Sequence, residues 1–170
     1  SPAFAYVAER HQSALAQPIQ GWMGSADVFA MGPEYTPAPG MRRFLSGTPP
    51  IVGMLALQDT VDLIAEVGIG ALRTKSIALT EHAVRLADEL LAPHGVTVAS
   101  PRDPDRRGGH VTLQHPSMRA VTARLWAHDV IPDYRDPGGL RIGLSPLSTS
   151  FAEVLRGMIS VRDAVVAEAR

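Results

Sequence analysis

The chain has 170 residues, 45% apolar and 19% charged, with a net charge of −1 and no cysteine. Such a composition supports a buried core for one domain, or one domain and part of another, and speaks against disorder. It excludes a disulfide framework, a thiolate metal site and a cysteine nucleophile within the chain, and offers no bulk electrostatic case for nucleic acid or an anionic membrane.

No apolar run is long enough to span a bilayer and no signal peptide is visible. The chain opens Ser1-Pro2-Ala3-Phe4, without methionine, and passes at once into an apolar run. A natural N-terminus usually carries some polar slack, so the expectation is the interior of a longer protein.

Residues 3–7 (Ala-Phe-Ala-Tyr-Val) read as a short buried strand. Residues 17–50 are rich in Pro and Gly without a clear period, and read as a long ordered loop region with a short strand at 28–31. Pro49-Pro50 suits a helix start. Met54, Leu57, Val61, Ile64 and Val67 follow at helical spacing, and Gly68-Ile69-Gly70 breaks or bends that helix. A second helix carries Leu72, Leu79, Val84, Leu86 and Leu90 and stops at Pro93-His94-Gly95.

Alternation follows. Residues 96–99 and 110–114 read as strands on either side of a polar turn at 101–109. Ser117 is placed to cap a helix running to about His128. Residues 130–134 and 140–144 read as strands joined by the turn Asp136-Pro137-Gly138-Gly139. Ser150-Phe151-Ala152-Glu153 has the spacing of a capping box, in which the serine and glutamate satisfy each other's free backbone amides at a helix start. The pattern predicts an α/β layer structure, a sheet with helices packed on it.

The segment Arg42-Arg43-Phe44-Leu45-Ser46-Gly47-Thr48-Pro49-Pro50-Ile51 gathers cations and hydroxyls at a helix mouth, which suits an anionic group such as a phosphate. Thr48 is either a helix cap or a hydroxyl donor to that group. Trp22, between Gly21 and Gly24, is either a packing anchor or an indole N–H donor, and its glycines admit a ligand or second chain at close range. Arg42 with Arg43, and Arg106 with Arg107, also read as solvated surface pairs.

Arg141 is flanked by Leu140 and Ile142 in a strand. A cation there takes a partner, either Asp133 or Asp136 as a salt bridge, or a ligand carboxylate held by both arms of the guanidinium. His11, His82, His94, His110, His115 and His128 have no metal spacing, and no Gly-rich phosphate loop or nucleophile elbow is present.

Taken in order, Gly21-Trp22, Arg43-Phe44 through Thr48-Pro49-Pro50-Ile51, Leu72-Arg73, Lys75-Ser76, Leu79-Thr80, Arg107-Gly108, Asp133, Arg135, Pro137, Arg141, Pro146-Leu147 and Ser150-Phe151 resemble the kynureninase family. These are pyridoxal 5'-phosphate enzymes of the fold-type-I aminotransferase superfamily. The resemblance implies the C-terminal portion of that fold: the end of the large cofactor-binding domain over residues 1–66, a long bridging helix, and a small α/β domain over residues 67–170.

It implies that Trp22 and Thr48 donate to the cofactor phosphate and that Arg141 binds the substrate α-carboxylate. The Schiff-base lysine is expected upstream of Ser1, so no catalytic residue is assigned in this chain, and Lys75 is not given that role. No metal is expected. The implied reaction is hydrolytic Cβ–Cγ cleavage of L-kynurenine or 3-hydroxykynurenine to anthranilate or 3-hydroxyanthranilate and L-alanine, within tryptophan catabolism and NAD biosynthesis. A cytoplasmic homodimer acting on a small amino acid, without nucleic-acid or membrane partners, is the implied setting. Leu147-Ser148-Thr149-Ser150 departs from the family's tyrosine and asparagine there. The alternatives are another fold-type-I enzyme (class V aminotransferase, desulfurase or epimerase) or a non-catalytic α/β binding or dimerisation module.

Overall fold

The computed structural model describes residues 3–30 and 32–169. The chain forms two compact units, Ser1–Leu63 and Ile64–Arg170.

The first unit is mostly irregular. It holds helix α1 (Glu9–Gln12), single 3-10 turns at Trp22–Gly24 and Gly40–Phe44, and most of helix α2 (Ile51–Val67). The apolar run at 3–7 is not a buried strand: Phe4 is 95% exposed and Tyr6 86%. A strand needs a neighbour to accept and donate its hydrogen bonds. Among the described residues this unit offers only an isolated bridge between Ser25 and Pro37. The strand expected at 28–31 is also absent over 28–30, because the Asp27 side chain accepts from the Phe29 amide (2.9 Å) and turns the chain there; Met31 lies outside the described residues.

Helix α2 starts at Ile51, just after the double proline. The Pro50 carbonyl accepts the Met54 amide at 2.9 Å, so Pro50 occupies the capping position and Thr48 stands two residues before it. No residue of α2 is buried, although Val52, Leu55 and Val61 are among its apolar side chains.

The expected break at Gly68-Ile69-Gly70 narrows to Gly68 alone. Its φ of 79° is the left-handed region that glycine enters without a Cβ clash, and helix α3 (Ile69–Leu86) begins at the next residue. After α3 a π turn (Ala87–Leu91) and a 3-10 turn (Ala92–His94) lead to Gly95, left-handed at φ 81°, which closes the segment as glycine does at helix C-termini.

The second unit is the α/β layer structure that the sequence predicts. Its sheet has four antiparallel strands, β1 (Thr97–Val98), β2 (His110–Gln114), β3 (Asp133–Arg135) and β4 (Gly139–Gly143), in the order β1-β2-β4-β3. Strand β3 starts later than expected. Pro132 has no N–H to give a ladder, so pairing begins at the residue after it.

Helix α3 packs on one face of this sheet together with α4 (Met118–Trp126) and α5 (Phe151–Glu168). Leu79 and Ala83 of α3, Val111 and Leu113 of β2, Met118 and Val121 of α4, Leu140 of β4 and Met158 of α5 form the dry centre. Ser117 does not cap α4, because its hydroxyl is engaged at 2.7 Å with His115 Nδ1. The capping box at α5 is present in full, with Ser150 Oγ accepting from the Glu153 amide and Glu153 Oε2 accepting from the Ser150 amide.

Candidate functional site

Neighbouring residues of a strand point to opposite faces of its sheet. Leu140 points into the helix-covered core, so Arg141 stands on the other face. Residues directly opposite in neighbouring strands share a face, and Arg141 faces Thr112 on β2 and Asp133 on β3. The same face carries His110, Gln114 and Arg135, so it is a polar surface. Along β4 the residues two before and two after Arg141 are Gly139 and Gly143, and a methyl on Gly143 would meet nothing within 4 Å. Arg141 is therefore the one side chain that β4 raises from this face.

Arg141 has an acidic partner on that face. Its Nη2 donates to Asp133 Oδ2 at 2.6 Å, and Arg135 donates to the same oxygen through Nε (2.9 Å) and Nη2 (2.7 Å). Partial desolvation pushes the Asp133 carboxyl up, but the two guanidiniums outweigh it and hold the group below its ordinary value. Asp136, the other acid considered, is taken by Arg119 (2.9 Å) and by the Tyr134 hydroxyl (2.8 Å). A guanidinium has five N–H donors. One of Arg141's is committed to Asp133 and its side chain is 37% exposed, so it can grip a second carboxylate.

In the first unit the structure brings the Trp22 and Thr48 segments together. The Met23 amide donates to the Ser46 carbonyl at 3.2 Å. A methyl on Gly21 would run into that carbonyl and stand 2.7 Å from Ser46 Cα, and one on Gly24 would stand 2.7 Å from the Tyr35 hydroxyl. The two glycines thus admit the chain's own backbone and Tyr35, where the sequence suggests a ligand or second chain. Trp22 is 50% exposed, and among the described residues its indole N–H has no hydrogen-bond partner. Thr48 is exposed and does not occupy the capping position of α2.

The arginines of the loop are spent on the fold. Arg42 donates to the Met23 and Ala26 carbonyls and Arg43 to the Gln12 carbonyl. Trp22 and Thr48 are thus neutral donors without a hydrogen-bond partner among the described residues, on segments tied through Ser46. Thr48, with Ser46 and Gly47, also lines a cavity of about 830 Å³ along α2 whose other walls include Phe4, Phe44 and Leu57. Trp22 is not part of that lining.

Arg107 corrects the surface reading. It is 3% exposed, with Nη1 donating to the Pro101 and Arg102 carbonyls (2.8 Å each) and Nη2 paired with Glu81 of α3. Arg73 of α3 in turn donates to the Arg107 and Pro104 carbonyls, so these cations fasten the 101–107 turn to α3. Glu81 lies 26 residues from Arg107, and no local pattern distinguishes Arg107 from the exposed Arg106 beside it. Among the described residues no three His, Asp or Glu gather as metal ligands, and no helix is long and apolar enough to cross a membrane.

The chain is 41% identical over 169 residues to the kynureninase of Burkholderia mallei (strain SAVP1), an alignment that covers 99% of this chain and 41% of that protein. It is 39% identical over 161 residues to the kynureninase of Deinococcus radiodurans, covering 95% of this chain and 39% of that protein. It thus spans about two-fifths of the curated relatives it matches.

Among solved structures, the apo cysteine desulfurase of Thermococcus onnurineus NA1 superposes with a TM-score of 0.74 at 23% identity, over 95% of this chain and 42% of that one. The cystine C-S lyase C-DES, in complex with its product cysteine persulfide, gives 0.75 at 21%, over 93% and 41%. At that identity the likeness is one of fold, and the fold is the fold-type-I architecture that the resemblance implies. The kynureninase C-terminal domain family matches residues 72–160, which hold the sheet, Arg141 and Arg107, and the chain belongs to that family.

Proposed function

We propose that this chain is the C-terminal part of a kynureninase, cleaving L-kynurenine or 3-hydroxykynurenine hydrolytically to anthranilate or 3-hydroxyanthranilate and L-alanine. The observation that carries the reading is Arg141, raised between two glycines on a polar sheet face with most of its donors uncommitted. Its fork takes the substrate α-carboxylate, which fixes the amino acid by one end and orients the Cα–H bond for proton loss. Pyridoxal phosphate, when bound, supplies the electron sink that the bond cleavage needs. Trp22 Nε1 and Thr48 Oγ1 donate to its phosphate, and the bond between the Met23 amide and the Ser46 carbonyl holds their two segments together.

Residues 1–66 act as the end of the large cofactor-binding domain and residues 67–170 as the small domain. The burial of only Gly24 and Ala38 among the described residues of the first unit supports this, since the unit has no core of its own. The cofactor-bearing lysine is supplied upstream of the position of Ser1. The enzyme works as a cytoplasmic homodimer in tryptophan catabolism and NAD biosynthesis.

The test is anthranilate release from L-kynurenine by the full-length protein, followed by fluorescence, beside its Arg141→Lys variant. Lysine keeps the charge and loses the fork, so kcat/KM falls by about 10²-fold. An unchanged kcat/KM in the variant overturns the role of Arg141, and sulfur release from L-cysteine without anthranilate release overturns the substrate.

A further inference from the structure

The acid that neutralises Arg141 is engaged in an unusual way. One oxygen of Asp133, Oδ2, accepts three N–H groups from two guanidiniums, while its Oδ1 has no partner among the described residues. An ordinary exposed ion pair contributes little to stability, because water competes and two long side chains must be ordered. Direction is a different matter. Asp133 sits directly opposite Arg141 in the β3–β4 register, so the backbone ladder sets the length and angle of the contact. With Nη2 held, the guanidinium can no longer sweep over the open space above Gly143, and its free Nη1 and Nε edges present one orientation.

Arg135 grips the same oxygen from β3 itself and keeps Asp133 from following Arg141 when that side chain moves. Two cations share one anion, so the cluster retains one unit of positive charge for an incoming carboxylate. We propose that Asp133 is a positioning residue that aims Arg141 at the substrate α-carboxylate, with Arg135 as its anchor. This rests on the reading of Arg141 as the carboxylate clamp.

The test uses the full-length enzyme and two ligands: L-kynurenine as substrate, and kynuramine, which lacks the α-carboxylate, as competitive inhibitor. Asp133→Asn is expected to raise the L-kynurenine KM by about tenfold with a smaller change in kcat, because a bound carboxylate is lost from ground and transition state alike. The kynuramine inhibition constant stays within about twofold of wild type, as that ligand has nothing for Arg141 to hold. In the double variant with Arg141→Lys, the loss is no greater than with Arg141→Lys alone, since the two residues act as one unit.

A parallel rise in KM and in the kynuramine constant would show general damage and overturn the proposal, as would losses that multiply in the double variant. Arg141→Lys at wild-type KM and kcat/KM would instead sink the clamp reading, and the proposal with it. If thermal melting shows Asp133→Asn to be unfolded, Asp133→Glu is measured by the same criteria. It keeps the charge at a different reach, and discrimination between the two ligands equal to wild type would overturn the proposal.

Discussion

Gly21→Ala tests whether the Trp22 segment and the Ser46–Thr48 segment form one unit. Gly21 has φ −148° and ψ 162°, a conformation open to alanine, so no dihedral strain enters. The added methyl would stand 2.7 Å from Ser46 Cα and closer to its carbonyl, where ordinary contact needs at least 3.4 Å. The two backbones must part by more than about 0.7 Å there, since the carbonyl is nearer still, an overpacking that costs about 1–3 kcal/mol. Losing the hydrogen bond from the Met23 amide to the Ser46 carbonyl adds about 1 kcal/mol.

Local opening made easier by about 2–4 kcal/mol in all speeds exchange of the Met23 amide by about 30–900-fold, readable by hydrogen exchange on the full-length protein. If Trp22 and Thr48 jointly hold the cofactor phosphate, the pyridoxal phosphate dissociation constant, followed by absorbance, rises with it. Gly47→Ala is the control. A methyl there meets nothing within 4 Å, and the exchange rate stays near wild type. Gly21→Ala matching that control in both readouts would refute the coupling of the two segments.

Glu81→Ala leaves the Arg107 guanidinium, whose side chain is 1% exposed, without its counter-charge. The cost in a denaturant titration is about 2–3 kcal/mol, below that of a fully buried pair because water reaches Glu81; a change under about 0.5 kcal/mol would mean the 101–107 turn is held by other contacts. Ser150→Ala removes the cap of α5 and costs about 1 kcal/mol.

The same cap gives a pH signature. The Ser150 hydroxyl first, then its backbone N–H, hold the Glu153 carboxyl below its ordinary value. A depressed folded value means that this stabilisation is complete above the ordinary carboxylate range and is lost as pH falls through the folded value. Glu153→Gln removes that acid-side dependence, and an acid unfolding curve unchanged by the substitution would contradict it.

Features that depend on a few neighbouring residues were readable in the sequence. His-Val-Thr-Leu-Gln forms β2 over the same five residues, because alternation and burial on one face coincide there. Ser150 and Glu153 close their box within one helical turn. The misses came from partners. Ser117 has the chemistry of a cap but spends its hydroxyl on His115. Thr48 precedes a helix whose capping position goes to Pro50. Residues 3–7 have strand composition and no strand beside them. For the candidate site, Arg141 stood out as a cation between apolar neighbours, but the preference for Asp133 over Asp136 is set by the β3–β4 register, which sequence spacing does not give.

The bareness of α2 carries a thermodynamic consequence. The heat-capacity increment of unfolding arises from apolar surface that meets water for the first time. In α2, Val52 is already 83% exposed, Leu55 67% and Ile51 62%. In this chain taken by itself, melting the helix hydrates little that is not hydrated before. The curvature of the stability curve with temperature is therefore contributed mainly by the unit that holds Leu79, Leu113, Leu140 and Met158.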